Sequence, residues 1–395
     1  MDLTLLNPEN HDELELRLDK VRYHMGMASL DAMLIAAPTN LYYLTGGVYR
    51  GYVYIPLTGQ EVFFLMPPSG SAFPGVRYVR KPEQIPDALR QEGYDMPKRI
   101  GLEFQDLLYS DVERLKKVFP EADARDCSMV MRHARMVKTP FEIKKMRQDG
   151  LRQAAVYSQI KHCYQEDMTD LEFQIEIERV LRRAGCLGFL RAAGARMQLN
   201  MGSVLSGPNA DAPSPYDFSM GGNGTDPSLP VGASGEIMKP GMVVMVDMNG
   251  GFNGYQTDMT RCWSIGSNVS ELTQRAHRCS IEILRDLEKF SKPGIRIGDM
   301  HKRAERLAEE AGLKSYFMGH NHKVPFIGHG VGIELNELPV VMERNDEPLL
   351  KNMTIALEPK FVIPEVGAVG VENTYLVTDD GLENLTMLDE QLKDL

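Results

Sequence analysis

The chain has 395 residues, 43% of them hydrophobic and 25% charged, with a formal net charge of −11 at pH 7. That length exceeds one ordinary compact core and implies two domains, while an acidic balance without a Lys/Arg block excludes nucleic acid as the main partner. No apolar run is long enough to span a bilayer and the first twenty residues are polar and acidic, so no membrane partner is expected and the cytoplasm is the expected location. Cys127, Cys163, Cys186, Cys262 and Cys279 are odd in number and lack Cys-x-x-Cys spacing; they read as buried thiols in a reducing compartment.

Residues 14–27 carry the spacing of an amphipathic helix, 32–37 read as a buried strand, and 52–66 read as a hairpin turning at Thr58-Gly-Gln. This first part is an α/β domain without an evident catalytic cluster, and Tyr42, Tyr43 and Tyr49 read as packing aromatics. The boundary falls near Val137, giving domains of 1–135 and 136–395. Thr139-Pro-Phe-Glu142 has the form of a capped helix start, followed by an apolar face of Ile143, Met146, Leu151, Ala154 and Ala155. A second Thr-x-x-Glu box, Thr169 to Glu172, opens a helix ending near Arg183-Ala-Gly185, and its counterpart runs over about 299–312. The mixed-charge stretches 161–166 and 302–310 read as solvated helix faces. The Gly/Pro/Ser/Asn-rich segment 206–232 lacks nucleotide-loop spacing and is expected at the rim of a site.

Residues 242–261 form an acid-bearing hairpin: a β-branched run, a turn with Asn249, Gly250, Gly251, Asn253 and Gly254, and a second extended arm. Asp247 and Asp258 lie at equal distances from the loop centre and face one another in the simplest register. Like charges placed so are destabilising, so something positive belongs between them. The plainer alternative turns Asp247 to solvent and lets Asp258 cap a turn. Residues 353–377 repeat the device with Glu358 and Glu372, nearly equidistant from their turn. Met242 and Met353 each stand five residues before the first acid, and Thr260 and Thr374 each stand two after the second, the mark of an internal duplication. Between the hairpins, Gly328-His329-Gly-Val-Gly332 lets the backbone approach an ion around one imidazole. Four carboxylates and one imidazole suit a pair of divalent ions of the Mn, Co, Fe or Zn type, because one ion leaves too much negative charge uncompensated.

The ordered set Asp247, Asp258, His329, Glu358 and Glu372 resembles the five-ligand signature of the pita-bread metallopeptidases, in the branch of Xaa-Pro aminopeptidases and prolidases with a creatinase-type N-terminal domain. Asn40-Leu-Tyr-Tyr-Leu-Thr-Gly46 resembles a segment common in that N-terminal domain. The resemblance implies a mixed α/β (α+β) architecture, a creatinase-type domain followed by a pseudo-symmetric pita-bread catalytic domain. It also implies two divalent ions, Mn or Zn foremost, a short peptide or small amide as substrate, and a homodimer. Glu358 would handle the proton of the attacking water, and Asp258 and Glu372 would bridge the ions.

The departures are as specific. The family carries histidines where this chain has Ser214, Pro325 and Asn336, and an arginine where it has Gly370. An asparagine amide can donate to an oxyanion but is no general acid near neutral pH, so His320 and His322 are the candidates to take over that work beside Asn336. The leading expectation is a proline-specific exopeptidase. The alternatives are a same-fold enzyme cleaving a non-peptide C–N, amide or C–S bond, and a non-catalytic binding protein.

Overall fold

The computed structural model describes residues 11–68, 75–194, 200–216, 218–266 and 268–395, and the chain divides into two units, Met1–Arg135 and Met136–Leu395. In chain order the first unit holds α1 (His11–Met27), β1 (Ala32–Ile35), α2 (Pro38–Thr45), β2 (Gly51–Pro56), β3 (Val62–Leu65), β4 (Val76–Tyr78), α3 (Ile85–Gln91), β5 (Arg99–Leu102), α4 (Tyr109–Val118) and β6 (Asp123–Asp126), and α5 (Ser128–Met136) closes it. Its sheet has the order β4-β3-β2-β1-β5-β6. The wholly buried β1 pairs antiparallel with β2 and parallel with β5, and β2 and β3 form the predicted hairpin, Gly51 opposite Leu65. Along α1, Leu14, Leu18, Val21 and Met25 are all buried, the three-and-four spacing of a helix with one apolar face.

The Asn40 segment is a structural joint. The buried Glu103 carboxylate accepts from Ala36 N at 2.7 Å, Ala37 N at 2.8 Å and Asn40 Nδ2 at 2.6 Å. It thus meets backbone donors at the start of α2 that have no helical partner, and where the helix dipole favours an anion. Gly46, at φ 71°, closes the other end by donating to Tyr42 O. Tyr43 and Tyr49 are buried, as packing aromatics should be.

The second unit contains α6 (Pro140–Tyr157), α7 (Asp170–Arg183), β7 (Gly202–Ser206), β8 (Val243–Met248) and β9 (Thr260–Ser264), and then α8 (Glu271–Phe290), α9 (Ile297–Glu310), β10 (Phe326–Gly330), β11 (Glu337–Met342), β12 (Thr354–Leu357), β13 (Lys360–Ile363), β14 (Gly367–Gly370), β15 (Asn373–Thr378), β16 (Gly381–Asn384) and β17 (Lys393–Asp394). Each half is a helix pair followed by acid-bearing strands. The sheets run β17-β9-β8-β7 and β11-β10-β12-β15-β16, with β13 and β14 as a two-stranded extension. An antiparallel bridge between Thr260 and Glu372 joins the halves. One apolar core lies under α8 and α9, and another gathers Tyr157, Phe173 and Ile177 against Val244, Val246 and Met248.

Both predicted capping boxes form. Thr139 and Thr169 each accept from the backbone of the glutamate three residues on, whose side chain returns the bond. Two expectations fail. Leu151 and Ala155 are exposed, and α6 instead buries Asp149, Gly150, Gln153, Val156 and Tyr157, because this face supports the acid-bearing hairpin through polar contacts that apolar periodicity cannot register. Residues 161–166 are not a helix face; a 3-10 turn, Ile160–Cys163, and its exit occupy them. Among the described residues no helix is long and apolar enough to cross a membrane.

Thr139→Ala should lower stability by about 1 kcal/mol, the usual cost of a lost N-cap, whereas Leu151→Ser should be near neutral, both read from urea midpoints. Burial, outweighing its donors, pushes the Glu103 carboxyl up to about 7. The folded chain therefore holds this proton more tightly than the unfolded one. Its contribution to stability is complete below the ordinary value of 4.5 and is lost as pH rises through about 7. Thermal unfolding of Glu103→Gln against the parent between pH 5 and 8 should show a flatter slope in the variant.

Candidate metal centre

The first hairpin is not registered as its loop suggests. Asp247 stands opposite Thr260, and the bridge between Gly250 and Thr257 continues that register. Asp258 is thus a diagonal neighbour of Asp247 on the same face, not its direct partner. Two contacts fix the offset. The Tyr157 hydroxyl accepts from Met248 N at 2.9 Å and lies 2.5 Å from Met259 O, tying the two arms together. Gly250 leaves room where a Cβ would meet Thr257 Oγ1 and Gln153 at 2.7 and 2.8 Å.

In the second hairpin Leu357 pairs with Asn373 and Lys360 with Gly370, which places Glu358 opposite Glu372. Pro359 has no N–H to continue the ladder, and β12 and β13 part there into different sheets. The paired threonines stitch the duplicated halves together. Thr260 Oγ1 donates to Glu372 Oε2 at 2.7 Å, and Thr374 Oγ1 both accepts from Asp258 N and donates to Asp258 O, at 2.8 and 2.9 Å. The buried Arg261 guanidinium donates to Glu372 O and Asn373 Oδ1, holding the last acid from behind.

His329 sits on β10 between β11 and β12. Its Nδ1 is 3.0 Å from Gly330 O, an interaction that makes Nδ1 the donor and points Nε2 inward, 3.7 Å from Asp258 Oδ2 and 3.9 Å from Glu358 Oε1. The five residues converge as two overlapping groups, Asp258 with His329 and Glu372, and Asp247 with Glu358 and Glu372, each with ligand atoms within 4.8 Å of one another. They lie on the floor of a cavity of about 530 Å³. The plainer alternative for the first hairpin fails: Asp258 is buried, and Asp247 faces a cation.

That cation is Lys360, which the pattern of acids and glycines did not single out. Its ammonium is fully buried and lies 2.7 Å from Asp247 Oδ2, 2.7 Å from Glu358 Oε2 and 3.1 Å from Glu372 Oε2, with Ser219 Oγ at 3.3 Å. The signal was present: a single lysine inside an apolar strand, two residues from Glu358 and so on the same face. Burial would pull the ammonium down, but Asp247, Glu358 and Glu372 outweigh it and hold Lys360 well above its ordinary value. For Glu358, burial is the largest influence and raises its carboxyl, but Lys360 and His329 together overcome it and hold the group below its usual range. Asp258 and Glu372 stand well above theirs, from burial first and then from neighbouring carboxylates.

The two groups differ in their fitness for a metal. In the first, Glu372 Oε1 is buried without a hydrogen-bond partner among the described residues, and His329 adds an imidazole nitrogen to the two carboxylates, a mixed oxygen and nitrogen donor set that suits a divalent transition metal. In the second, every carboxylate already gives an oxygen to Lys360.

The outlying candidates separate. His322 lines the cavity with Ser214, Pro325 and Asn336. His320 does not: its Nδ1 lies 3.1 Å from Asp211 Oδ2 and its ring stacks on Tyr316, a loop-fastening role in place of the expected catalytic one. Asn336 exchanges two hydrogen bonds with the Ala193 backbone, at 2.7 and 2.8 Å, which occupy its oxygen and one N–H. The 206–232 segment reaches the site as expected: Ser219 touches Lys360, and Asn209 is fastened to the buried Asp170 and to Gly232 O.

Comparison with known proteins agrees with this geometry. The model for the creatinase/prolidase N-terminal domain matches residues 17–137, and that for metallopeptidase family M24 matches 144–379. The Xaa-Pro dipeptidase of Pyrococcus horikoshii is 27% identical over 390 residues, covering 96% of this chain and 99% of that one. The Xaa-Pro dipeptidase of Lactobacillus delbrueckii is 24% identical, covering 96% and 98%. Among solved structures, an Xaa-Pro dipeptidase from Bacillus anthracis superposes with a TM-score of 0.79 at 21% identity, covering 97% and 100%. The Pyrococcus horikoshii prolidase superposes at 0.76 with 24% identity, covering 95% and 99%, likenesses that establish the fold. Because the catalytic-domain match extends over more than half its length, the chain belongs to metallopeptidase family M24, a family of hydrolases that implies divalent metal ions.

Proposed function

We propose that this chain is a proline-specific exopeptidase, an Xaa-Pro dipeptidase or aminopeptidase acting on short peptides. The observation that carries it is the placement of the acid–histidine cluster on the floor of a cavity of about 530 Å³, a volume that suits a very short peptide. The names of the full-length relatives support the same substrate class. Manganese or zinc as the ion and a homodimer go with that reading. A cytoplasmic location fits five cysteines that are all buried and unpaired.

Asp258, His329 and Glu372 would hold a divalent ion, which when bound would supply Lewis acidity toward a carbonyl and a water molecule. Glu358, whose Oε2 accepts from the Lys360 ammonium at 2.7 Å, is the acceptor for the proton that attack by water releases. His329, fixed through Nδ1, presents Nε2 in one orientation only. Tyr216 and Phe218, ring centroids 5.8 Å apart, give the cavity an apolar wall against which a pyrrolidine ring packs. His322 is the imidazole on the cavity wall that can donate to the leaving group, and Asn336 offers an amide N–H to a carbonyl oxygen.

One observation favours a second reading. Ser214, Pro325 and Asn336 line this cavity at places where the resemblance puts histidines, so proton donation there is reduced. A small amide or other non-peptide C–N substrate with a better leaving group than a peptide amine fits such a site.

Release of free amino acid from Xaa-Pro dipeptides and Xaa-Pro-Yaa tripeptides, with protein loaded with Mn, Co or Zn, tests the first reading. Cleavage is expected, and Asp258→Ala should lose the ion and reduce turnover well beyond the roughly 10–100-fold typical of outer ligand partners. No cleavage by fully metallated protein shifts the assignment to small amides. His322→Ala should lower kcat while keeping the ion, and His320→Ala should leave both unchanged; equal kcat in His322→Ala and the parent removes that histidine from the mechanism.

A further inference from the structure

Lys360 changes the charge balance of the centre. An ammonium has three N–H donors, and three carboxylates surround this one, from Asp247, Glu358 and Glu372, at 2.7, 2.7 and 3.1 Å. They are the three residues of the second metal-holding group. The lysine stem reaches them because its cross-strand neighbour is Gly370. A Cβ at position 370 would stand 3.0 Å from Lys360 Cα and 3.2 Å from Lys360 Cγ.

Glu372 divides the centre in two. Its Oε2 accepts from Lys360 and Thr260. Its Oε1 is buried and without a hydrogen-bond partner among the described residues, and the residue is also grouped with His329 and Asp258.

We propose that the Lys360 ammonium permanently takes the place of one of the two cations this cluster of acids calls for, so that the centre binds a single divalent ion, at Asp258, His329 and Glu372. The inference rests on the metal-binding reading of the cluster and not on the choice of substrate. It also answers the sequence argument for two ions. With the ammonium counted, and with all four carboxylates ionised once an ion displaces their protons, one divalent ion leaves a single net negative charge, whereas two would make the cluster positive around a buried ammonium. A second ion would also have to compete with Lys360 for each of its carboxylates. Because its donors are taken up, Lys360 does not reach the substrate; it is a positioning residue that holds Asp247, Glu358 and Glu372 in place.

The test is metal stoichiometry on the full-length protein, loaded with Mn²⁺ alone, desalted and measured by elemental mass spectrometry together with electron paramagnetic resonance. The expected result is one Mn per chain with the hyperfine pattern of an isolated ion. Lys360→Ala should gain a second Mn and show an exchange-coupled spectrum, while Lys360→Arg, which keeps the charge, should stay at one. Two coupled ions in the unaltered protein overturn the proposal for Lys360 and leave the hydrolase reading standing; no ion at all overturns both the proposal and the metal-dependent reading. The spectrum of the unaltered protein decides even if Lys360→Ala fails to fold.

Discussion

Four carboxylates brought into one buried cluster are the constraint around which the second unit is built. Left alone, they would repel one another in a medium that screens them poorly. The protein answers with the Lys360 ammonium in contact with three of them and with burial that keeps Asp258 and Glu372 inclined to hold protons. Side-chain donors complete the arrangement: Thr260 to the Glu372 carboxylate, Thr374 to Asp258 O, and Arg261 to Glu372 O behind the last acid. A buried ion cluster of this kind is a poor source of net stability, since desolvation offsets much of the attraction. Its persistence in the fold is better explained by what it can bind.

The duplication gives the cluster its geometry. Two hairpins, each backed by a pair of helices, meet at the Thr260–Glu372 bridge, and each half lends a threonine to the acid of the other. The halves are not equivalent in outcome. The first hairpin offsets its acids by closing at Gly250–Thr257, and the second faces them directly and carries the lysine. One side of the site is therefore neutralised from within the chain, and the other has a carboxylate oxygen and an imidazole nitrogen free to take a ligand.

Most of the elements could be read from the sequence. The Thr-x-x-Glu boxes at Thr139 and Thr169 marked two helix starts because capping is local chemistry, satisfied within four residues. The β2–β3 hairpin and the wholly apolar β1 followed from alternation and run length. The apolar face of α6 was misjudged at Leu151 and Ala155, since the buried Asp149, Gln153 and Tyr157 are held by hydrogen bonds with a distant hairpin. His320 looked as promising as His322 in sequence, and only the positions of Asp211 and Tyr316 separated them.

The sequence by itself marked the four acids and the histidine that the fold brings together, because acids in paired hairpins and a histidine between glycines form a pattern independent of how the hairpins meet. It also required a positive charge among those acids, by electrostatics alone. Which charge supplies it was decided only by tertiary structure. The local hairpin register sets Lys360 across from Gly370, but the approach of Asp247 from the other half of the unit is a contact more than a hundred residues apart. Period-two alternation places a side chain on a face but says nothing of what that face will meet.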